Sequence, residues 1–422
     1  MTTDLDKAWE LVEAGDVSAV MRHLRTAADR LETGDLARIV EKAADMVDFD
    51  DLAQAAARLA GEPDVPQHLY DFGYACLEHG ASYAAIPALA EALRRVPDSR
   101  AVLGELVAAY EREERHSDAV AALERRGAAL EDWPERYLLV YNAVMAGDLT
   151  RARRHAARLG APGDEQWEWA YGRVRSMLAR ADAVGPVRPL DHEDLRGWHF
   201  VLTGGVLATI SPYGYRQGML GRYAFHQDSH ATCREGLDRL ARVLDAAGAA
   251  PTTVSVLNDR GSRILSRAAA DVLGLPTVPF DPDRADTLVV AYQLGDVPED
   301  ELRALIDRAP GQILFEHATC WTDPPMVPAD ITTLLRQVGK APWDKQLTAD
   351  PDGGAEDLRP DEEIAADIVA AAPGSGPDGD LDAPTDTEAD LTAFTEAIAP
   401  LWAKGSRDQP RSAGPVRSSR FG

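Results

Sequence analysis

Leu69-Tyr-Asp-Phe72-Gly73-Tyr-Ala-Cys76, followed by Ala85, Leu89 and Ala92, returns 34 residues later as Leu103-Gly-Glu-Leu106-Val107-Ala-Ala-Tyr110, followed by Ala119, Leu123 and Arg126. Within each copy the apolar positions fall three and four apart, the spacing of one face of a helix. Two such faces, joined at Gly80 in the first copy, form a helix–turn–helix unit. One unit cannot bury its own apolar face, so neighbours must stack. Small residues such as Gly73, Ala85 and Ala92 let helices approach closely. Leu69, Phe72, Leu89, Leu103 and Tyr110 fill the seams. A third unit follows at a spacing of 33, through Leu139, Ala152 and Ala156, and an earlier degenerate one runs through Leu11, Leu24 and Ala27.

A 34-residue period of helix pairs is the mark of a known repeat class. Residues 65–160 resemble the tetratricopeptide (TPR) repeat family, with departures at Val107, where a small residue is expected, and at Arg126, where Ala is usual. The resemblance implies a stack with a concave groove that binds a protein or peptide partner. Tyr70, Tyr74, Tyr137, Tyr141 and Asn142, on the first helices of the units, are the groove candidates. Helical texture extends over 1–180, with Gly15-Asp16, Gly34-Asp35 and Gly147-Asp148 as punctuation: Gly ends one helix and Asp caps the next. Trp167, Trp169 and Tyr171 crowd one segment, and part of that cluster is expected to meet the following domain.

Residues 181–190, rich in Pro and Gly, read as a linker. Over 191–345 the texture changes to strands alternating with helices. Strands are expected at Trp198–Thr203, Val206–Ile210, Thr252–Leu257, Thr277–Phe280, Thr287–Tyr292 and Gln312–Phe315. Helices are expected at Ser229–Ala247, Ser262–Leu273, Pro298–Arg308 and Ala329–Val338. Such alternation predicts a mostly parallel, Rossmann-like α/β domain. The fold class is therefore multidomain: an α-helical repeat array, then an α/β domain, then a tail.

Ligands of open parallel sheets bind outside the carboxyl ends of the strands. Asn258-Asp259-Arg260-Gly261-Ser262-Arg263 is the strongest ligand-binding candidate, with Asn258, Asp259, Arg260, Ser262 and Arg263 as the side chains. Gly261 permits close backbone approach, Ser262 opens a helix whose free N–H groups favour phosphate or carboxylate, and the arginines add a clamp. The stretch has neither GxGxxG nor GxxxxGK[ST], so no particular cofactor follows from it. His317 and Cys320, with Glu316 or Asp323, are the candidate catalytic pair of a nucleophile–base arrangement. His226, His230 and Cys233, spaced four and three, would share one helix face as metal ligands do, and His317 and Cys320 would complete the site. The alternative is a helix start with solvated histidines and a buried Cys233. The loop Ser211–Tyr223 is a candidate lid.

Residues 346–422 are rich in Asp, Glu, Gly and Pro and are expected to be a disordered acidic tail. Its exception is an amphipathic stretch over 390–402, with Leu391, Phe394, Ile398 and Trp402 on one stripe, suited to docking in a groove. Asp361–Ala370 is expected as a transient helix. The formal net charge of the 422-residue chain is −26, from 70 acidic and 44 basic residues. That balance argues against nucleic acid and anionic membrane as partners. Three scattered cysteines and no apolar run long enough to span a bilayer point to a cytoplasmic protein. The sequence supports two functional readings, a scaffold for a protein partner and an enzyme acting on a small anion. A third is a catalytically inactive regulatory module.

Overall fold

The computed structural model describes residues 3–345, 355–372, 379–410 and 412–419. The chain divides into two compact units, Met1–Tyr171 and Gly172–Gly422.

The first unit is an array of helices: α1 (Asp4–Glu13), α2 (Val17–Ala27), α3 (Thr33–Asp45), α4 (Asp50–Gly61), α5 (Pro66–Glu78), α6 (Ser82–Arg95), α7 (Arg100–Arg112), α8 (His116–Glu124), α9 (Tyr137–Met145) and α10 (Leu149–Ala156). From α3 onward consecutive helices pack on one another. The starts follow local chemistry: Asp16, Ser99 and Asp148 each cap a helix through the side chain, and Pro66 sits in the first turn of α5, where its missing N–H costs nothing. Leu69, Phe72, Leu89, Leu103 and Leu106 are buried in one continuous core. Gly73 explains the closeness of α5 and α6, since a methyl group there would lie 2.5 Å from Leu89 Cγ. The first hairpin departs from plain stacking, with α1 on α3 and α2 on α6.

Of the five groove candidates, Tyr137, Tyr141 and Asn142 are core residues. Asn142 is fully buried, facing His116 Nδ1 at 2.8 Å and donating to Glu111 Oε1 at 2.6 Å. Only Tyr74 is well exposed, stacked on Tyr70. Trp167 and Tyr171 pack on Trp133, at 5.7 and 6.0 Å between ring centroids, within the first unit.

The boundary at 171 falls inside α11 (Glu168–Val184), so residues 181–184 of the expected linker are helical. The second unit continues with α12 (Leu195–Thr203), β1 (Val206–Leu207), β2 (Tyr223–Gln227), α13 (His230–Ala246), β3 (Thr253–Val256), α14 (Arg260–Leu273), β4 (Thr277–Pro279), β5 (Thr287–Ala291), α15 (Glu299–Ala304), β6 (Ile313–Cys320) and β7 (Ile331–Lys340). It closes with α16 (Asp361–Ala370) and α17 (Glu388–Ile398).

The strands form one sheet in the order β1-β7-β6-β5-β3-β4, every pairing parallel, with β2 continuing along the same side of β7 as β1. On one face Val289, Ala291 and Leu314 pack with Leu302 and Leu305 at α15. Alternation turns their neighbours to the other face, where α13 packs on β6 and β7 and α14 on β3 and β5.

Three expectations are corrected. Trp198–Thr203 is helical, capped by Asp194 through Gly197 N and closed by Gly204 at φ +80°. Ala329–Val338 is not a helix but the long strand β7; Ile331 to Arg336 are all buried, as in a central strand covered on both faces. The tail is not disordered where it is described. Ile364, Ile368, Leu391, Phe394, Ile398 and Trp402 are buried, with α16 on α14 and α13 and α17 on α13. Several of its acids, Asp361, Glu362, Asp386 and Glu388 among them, pair with arginines from earlier in the unit, and the buried apolar stripe supplies a driving force that composition alone hides. Among the described residues no helix is long and apolar enough to cross a membrane.

Candidate functional site

Asp259 ends the turn after β3 and caps α14, its Oδ1 accepting from Ser262 N at 2.8 Å. Ser262 in turn accepts from Tyr292 N at 3.2 Å, tying the start of α14 to the end of β5. Asp259, Arg260 and Gly261 then form one wall of a cavity of about 400 Å³ at the carboxyl ends of β3, β5 and β7. Tyr292, Gln293 and Asp296 supply the floor after β5, and Arg336, Gly339 and Trp343 the far side. This is where a parallel sheet is expected to hold a ligand.

Arg336 dominates the electrostatics. It is 4% exposed, its Nη2 donates to Gln293 Oε1 at 2.5 Å, and its guanidinium lies 5.5 Å from the centre of the Tyr292 ring. Its Nη1 is buried without a hydrogen-bond partner. Gly339 makes room for it, because a methyl there would sit 2.1 Å from Nη1. Opposite, Asp259 Oδ2 is also unpartnered, and burial together with Asp259 pushes the Asp296 carboxyl above its ordinary range. The cavity thus offers a buried guanidinium, an aromatic wall of Tyr292 and Trp343, and carboxylates suited to accepting hydroxyl groups.

The arginines expected to clamp an anion are turned to another use. Arg260 Nη2 donates to the carbonyl of Asp357 at 2.6 Å and lies 3.5 Å from Glu356. Arg263 Nε donates to Asp361 Oδ2 at 2.9 Å, and its Nη1 to the carbonyl of Asn258. Asn258 faces away, pairing through its amide with Glu301. Asp259 and Arg260 therefore line the cavity, whereas Asn258, Ser262 and Arg263 shape it from behind.

His317 and Cys320 do not form a pair. His317 Nε2 lies 2.8 Å from Asp228 Oδ2, whereas Cys320 Sγ contacts Thr322 Oγ1 and the Gln337 carbonyl, each at 3.4 Å. Glu316 points away from His317 and accepts from Leu294 N at 2.7 Å and from Thr319 Oγ1. Burial pushes its carboxyl up to about 7 against these hydrogen bonds.

Of the expected metal ligands, His226 sits on β2 rather than on the helix of Cys233, and His230 opens α13 away from the cluster. Cys233 does meet His317, around a residue the sequence did not single out: Asp228. Its Oδ2 accepts from Tyr292 OH at 2.9 Å, and Cys233 Sγ approaches it to 3.6 Å. Burial alone would raise the Asp228 carboxyl; His317 and His226 outweigh it and hold it well below the ordinary range. Burial and then Asp228 push the Cys233 thiol well up, which removes it as a free nucleophile.

A second cavity, of about 440 Å³, lies beside α13 between Tyr223, His226, Gly236 and Thr333, and residues 379–386 form its outer wall. There Asp386 is gripped by Arg196 at 2.7 Å and by Arg239 and Ile210 N at 2.9 Å each. Asp380 accepts from Gly214 N at 2.7 Å and Tyr215 N at 3.2 Å, fastening the Ser211–Tyr223 loop to this segment. No protein-family model matches the chain, and no curated protein matches it either.

Proposed function

We propose that the second unit binds a small anionic, hydroxyl-bearing molecule, of the class of sugar phosphates and nucleotides, in the cavity at the carboxyl ends of β3, β5 and β7. The observation that carries this reading is Arg336, a cavity-lining residue whose guanidinium is buried and whose Nη1 has no partner. An unpaired buried donor is costly, and a phosphate or carboxylate oxygen would satisfy it with a charge-assisted bond. The amino end of α14, at Arg260 and Gly261, adds free N–H groups on the same side. Tyr292 and Trp343 offer a face for a ring, and Asp259 and Asp296 offer acceptors for hydroxyls.

The test is a thermal-shift panel of sugar phosphates and nucleotides on the full chain. A fragment ending at 345 would lack α16 and α17, which pack on α13 and α14. One compound should raise the melting temperature with the logarithm of its concentration, by the equivalent of about 2.7 kcal/mol at a hundredfold excess over its Kd. Arg336→Lys should weaken that response, and Arg260→Ala, at a partly exposed position, serves where the first variant folds poorly. A flat panel on well-folded protein would sink the reading.

Tyr74 favours a second reading. It is 45% exposed and stacked on Tyr70. Taken with the 34-residue period, it supports a TPR-like array that binds a protein or peptide partner in the cytoplasm. A peptide-array screen of wild type against Tyr74→Ser tests it: binding that the substitution does not alter would count against this surface.

A further inference from the structure

Asp228 is a carboxylate with no exposed side-chain surface, placed just after β2. Three other chemistry-bearing side chains reach it from three elements: His226 from β2, Cys233 from α13 and His317 from β6. The ligand-capable atoms of Asp228, Cys233 and His317 all lie within 4.8 Å of one another, and all three residues are buried. His226 Nε2 lies 3.4 Å from Asp228 Oδ1, buried and without a hydrogen-bond partner. Such a set is unusual for plain core packing, which would favour apolar groups or a fully paired network.

We propose that Asp228, Cys233 and His317, with His226 as the fourth ligand, form a zinc site that ties β2, α13 and β6 together. The donor set selects the metal: one thiolate with imidazoles and a carboxylate suits zinc and is a poor match for magnesium or calcium, which take oxygen. The spacing of Cys233 from the carboxylate fits as well. Zinc–ligand bonds of about 2.0–2.3 Å at tetrahedral angles put ligand atoms roughly 3.3–3.6 Å apart. The Cys233 Sγ–Asp228 Oδ2 separation is 3.6 Å, whereas His226 Nε2 lies 3.4 Å from the other carboxylate oxygen, Oδ1, and has to swing toward Oδ2 to share the ion. His317 Nε2, at 2.8 Å from Oδ2, has to withdraw by about half an ångström on this geometry.

The surrounding groups fit the role. Ser229 N donates to Asp228 Oδ1 at 2.8 Å, Thr232 Oγ1 donates to the same oxygen, and Tyr292 OH donates to Oδ2 at 2.9 Å. These contacts fix the carboxylate as an outer shell does in a metal centre. Charge also balances: a carboxylate and a thiolate together neutralise a divalent ion. Arg336, whose field reaches Cys233, is already turned to Gln293 and the ligand cavity. The site does not depend on a ligand in that cavity, which lies beyond Tyr292.

The experiment uses the full chain, purified from zinc-supplemented cells. Elemental analysis should find about one zinc per chain. After chelation, cobalt(II) should restore a d–d spectrum of tetrahedral intensity with a thiolate-to-cobalt charge-transfer band. The band must persist in a Cys76→Ala/Cys320→Ser chain, where Cys233 is the one remaining thiol, and vanish in Cys233→Ser. Zinc well below stoichiometry together with no charge-transfer band overturns the proposal. So does a band that is lost in the Cys76→Ala/Cys320→Ser chain while that chain remains folded. Because the cobalt spectrum is read on wild type, it decides the matter even where Cys233→Ser or Asp228→Asn fails to fold.

Discussion

Arg407 Nη2 donates to Asp330 Oδ2 at 2.8 Å across 77 residues of sequence, and both side chains are almost fully buried. Arg308 closes on the same carboxylate at 2.5 and 2.7 Å, Leu314 N donates to it at 2.8 Å, and Trp402 Nε1 donates to the Asp330 carbonyl at 2.9 Å. A segment whose composition reads as solvated tail is thereby fixed to the start of β7.

Breaking this pair should be costly. Removing one partner of a buried ion pair leaves the other charged and desolvated, typically a loss of 3–5 kcal/mol, or roughly that range. Arg308 still closes on Asp330 in Arg407→Leu, so the expected loss of unfolding free energy of the second unit is below that range, about 1–3 kcal/mol, read from urea unfolding. The pH dependence has a definite sign. Burial would raise the Asp330 carboxyl, but Arg407 and Arg308 hold it below its ordinary 3.8. The stability from the pair is full above that value and is lost as pH falls through the lower, folded-state one. Wild type and Arg407→Leu should converge in acid.

Glu316 behaves in the opposite way. Its carboxyl is pushed from 4.5 up to about 7 by burial. The folded state holds its proton more tightly than the unfolded chain, so this contribution is intact below pH 4.5 and is lost as pH rises through 7. The total change is on the order of 3 kcal/mol. Glu316→Gln should flatten the stability profile between those two values and exceed wild type at pH 8 or so, provided that the amide keeps the Leu294 and Thr319 contacts. Urea midpoints across pH measure it. A profile unchanged by the substitution would show that another group governs this range.

Phe394 tests whether α17 is an integral part of the second unit. Its ring is 2% exposed and meets Phe200 edge-on, with centroids 6.1 Å apart. Phe394→Ala is expected to cost about 3–5 kcal/mol and to open residues 388–398 to protease while wild type resists. Equal cleavage of both would contradict the docking of α17.

The contrast between what the sequence reveals and what it hides follows from the range of the interactions. Helices α5 to α10 are legible because their signals are local: a 34-residue period, caps at Ser99 and Asp148, and proline at the start of α5. β7 was obscured because Ile331-Thr-Thr-Leu-Leu-Arg336 is buried on both faces and shows no alternation; its β-branched residues were the available signal. For α12 the aromatic and β-branched run of Trp198 to Thr203 reads as a strand, while the signals of a helix, a cap at Asp194 and a left-handed Gly204, lie outside that run. The tail acids Asp361 and Asp386 find their arginines about 100 to 190 residues away in sequence, beyond the reach of any composition window. Site legibility divides the same way. The Asp259–Arg260 turn announces itself as a strand-to-helix junction. Asp228 and Arg336 carry no local mark, and only the parallel order of β2, β5, β6 and β7 gathers their partners.

Gly73 and Leu89 offer the sharpest test of the first unit, because the sequence period and the packing make one claim about them. Gly73 is the small position of α5 and Leu89 the large one of α6 in the same repeat unit, and a methyl group at 73 would lie 2.5 and 2.7 Å from Leu89 Cγ and Cδ2. No rotamer change at Gly73→Ala relieves that contact, so α5 and α6 must separate or Leu89 must move. Overpacking of this kind costs about 1–3 kcal/mol, set against the gain of up to about 1 kcal/mol that Ala brings to a helix interior. Leu89→Ala alone should cost about 2–5 kcal/mol through the cavity it leaves. In the double variant the new methyl group fills part of that cavity, so the two losses should be clearly less than additive. A double-mutant cycle on the denaturation of the first unit reads the coupling directly. Strict additivity would mean that α5 and α6 do not meet at these two residues, and the packing role assigned to the small position of the repeat would fall with it.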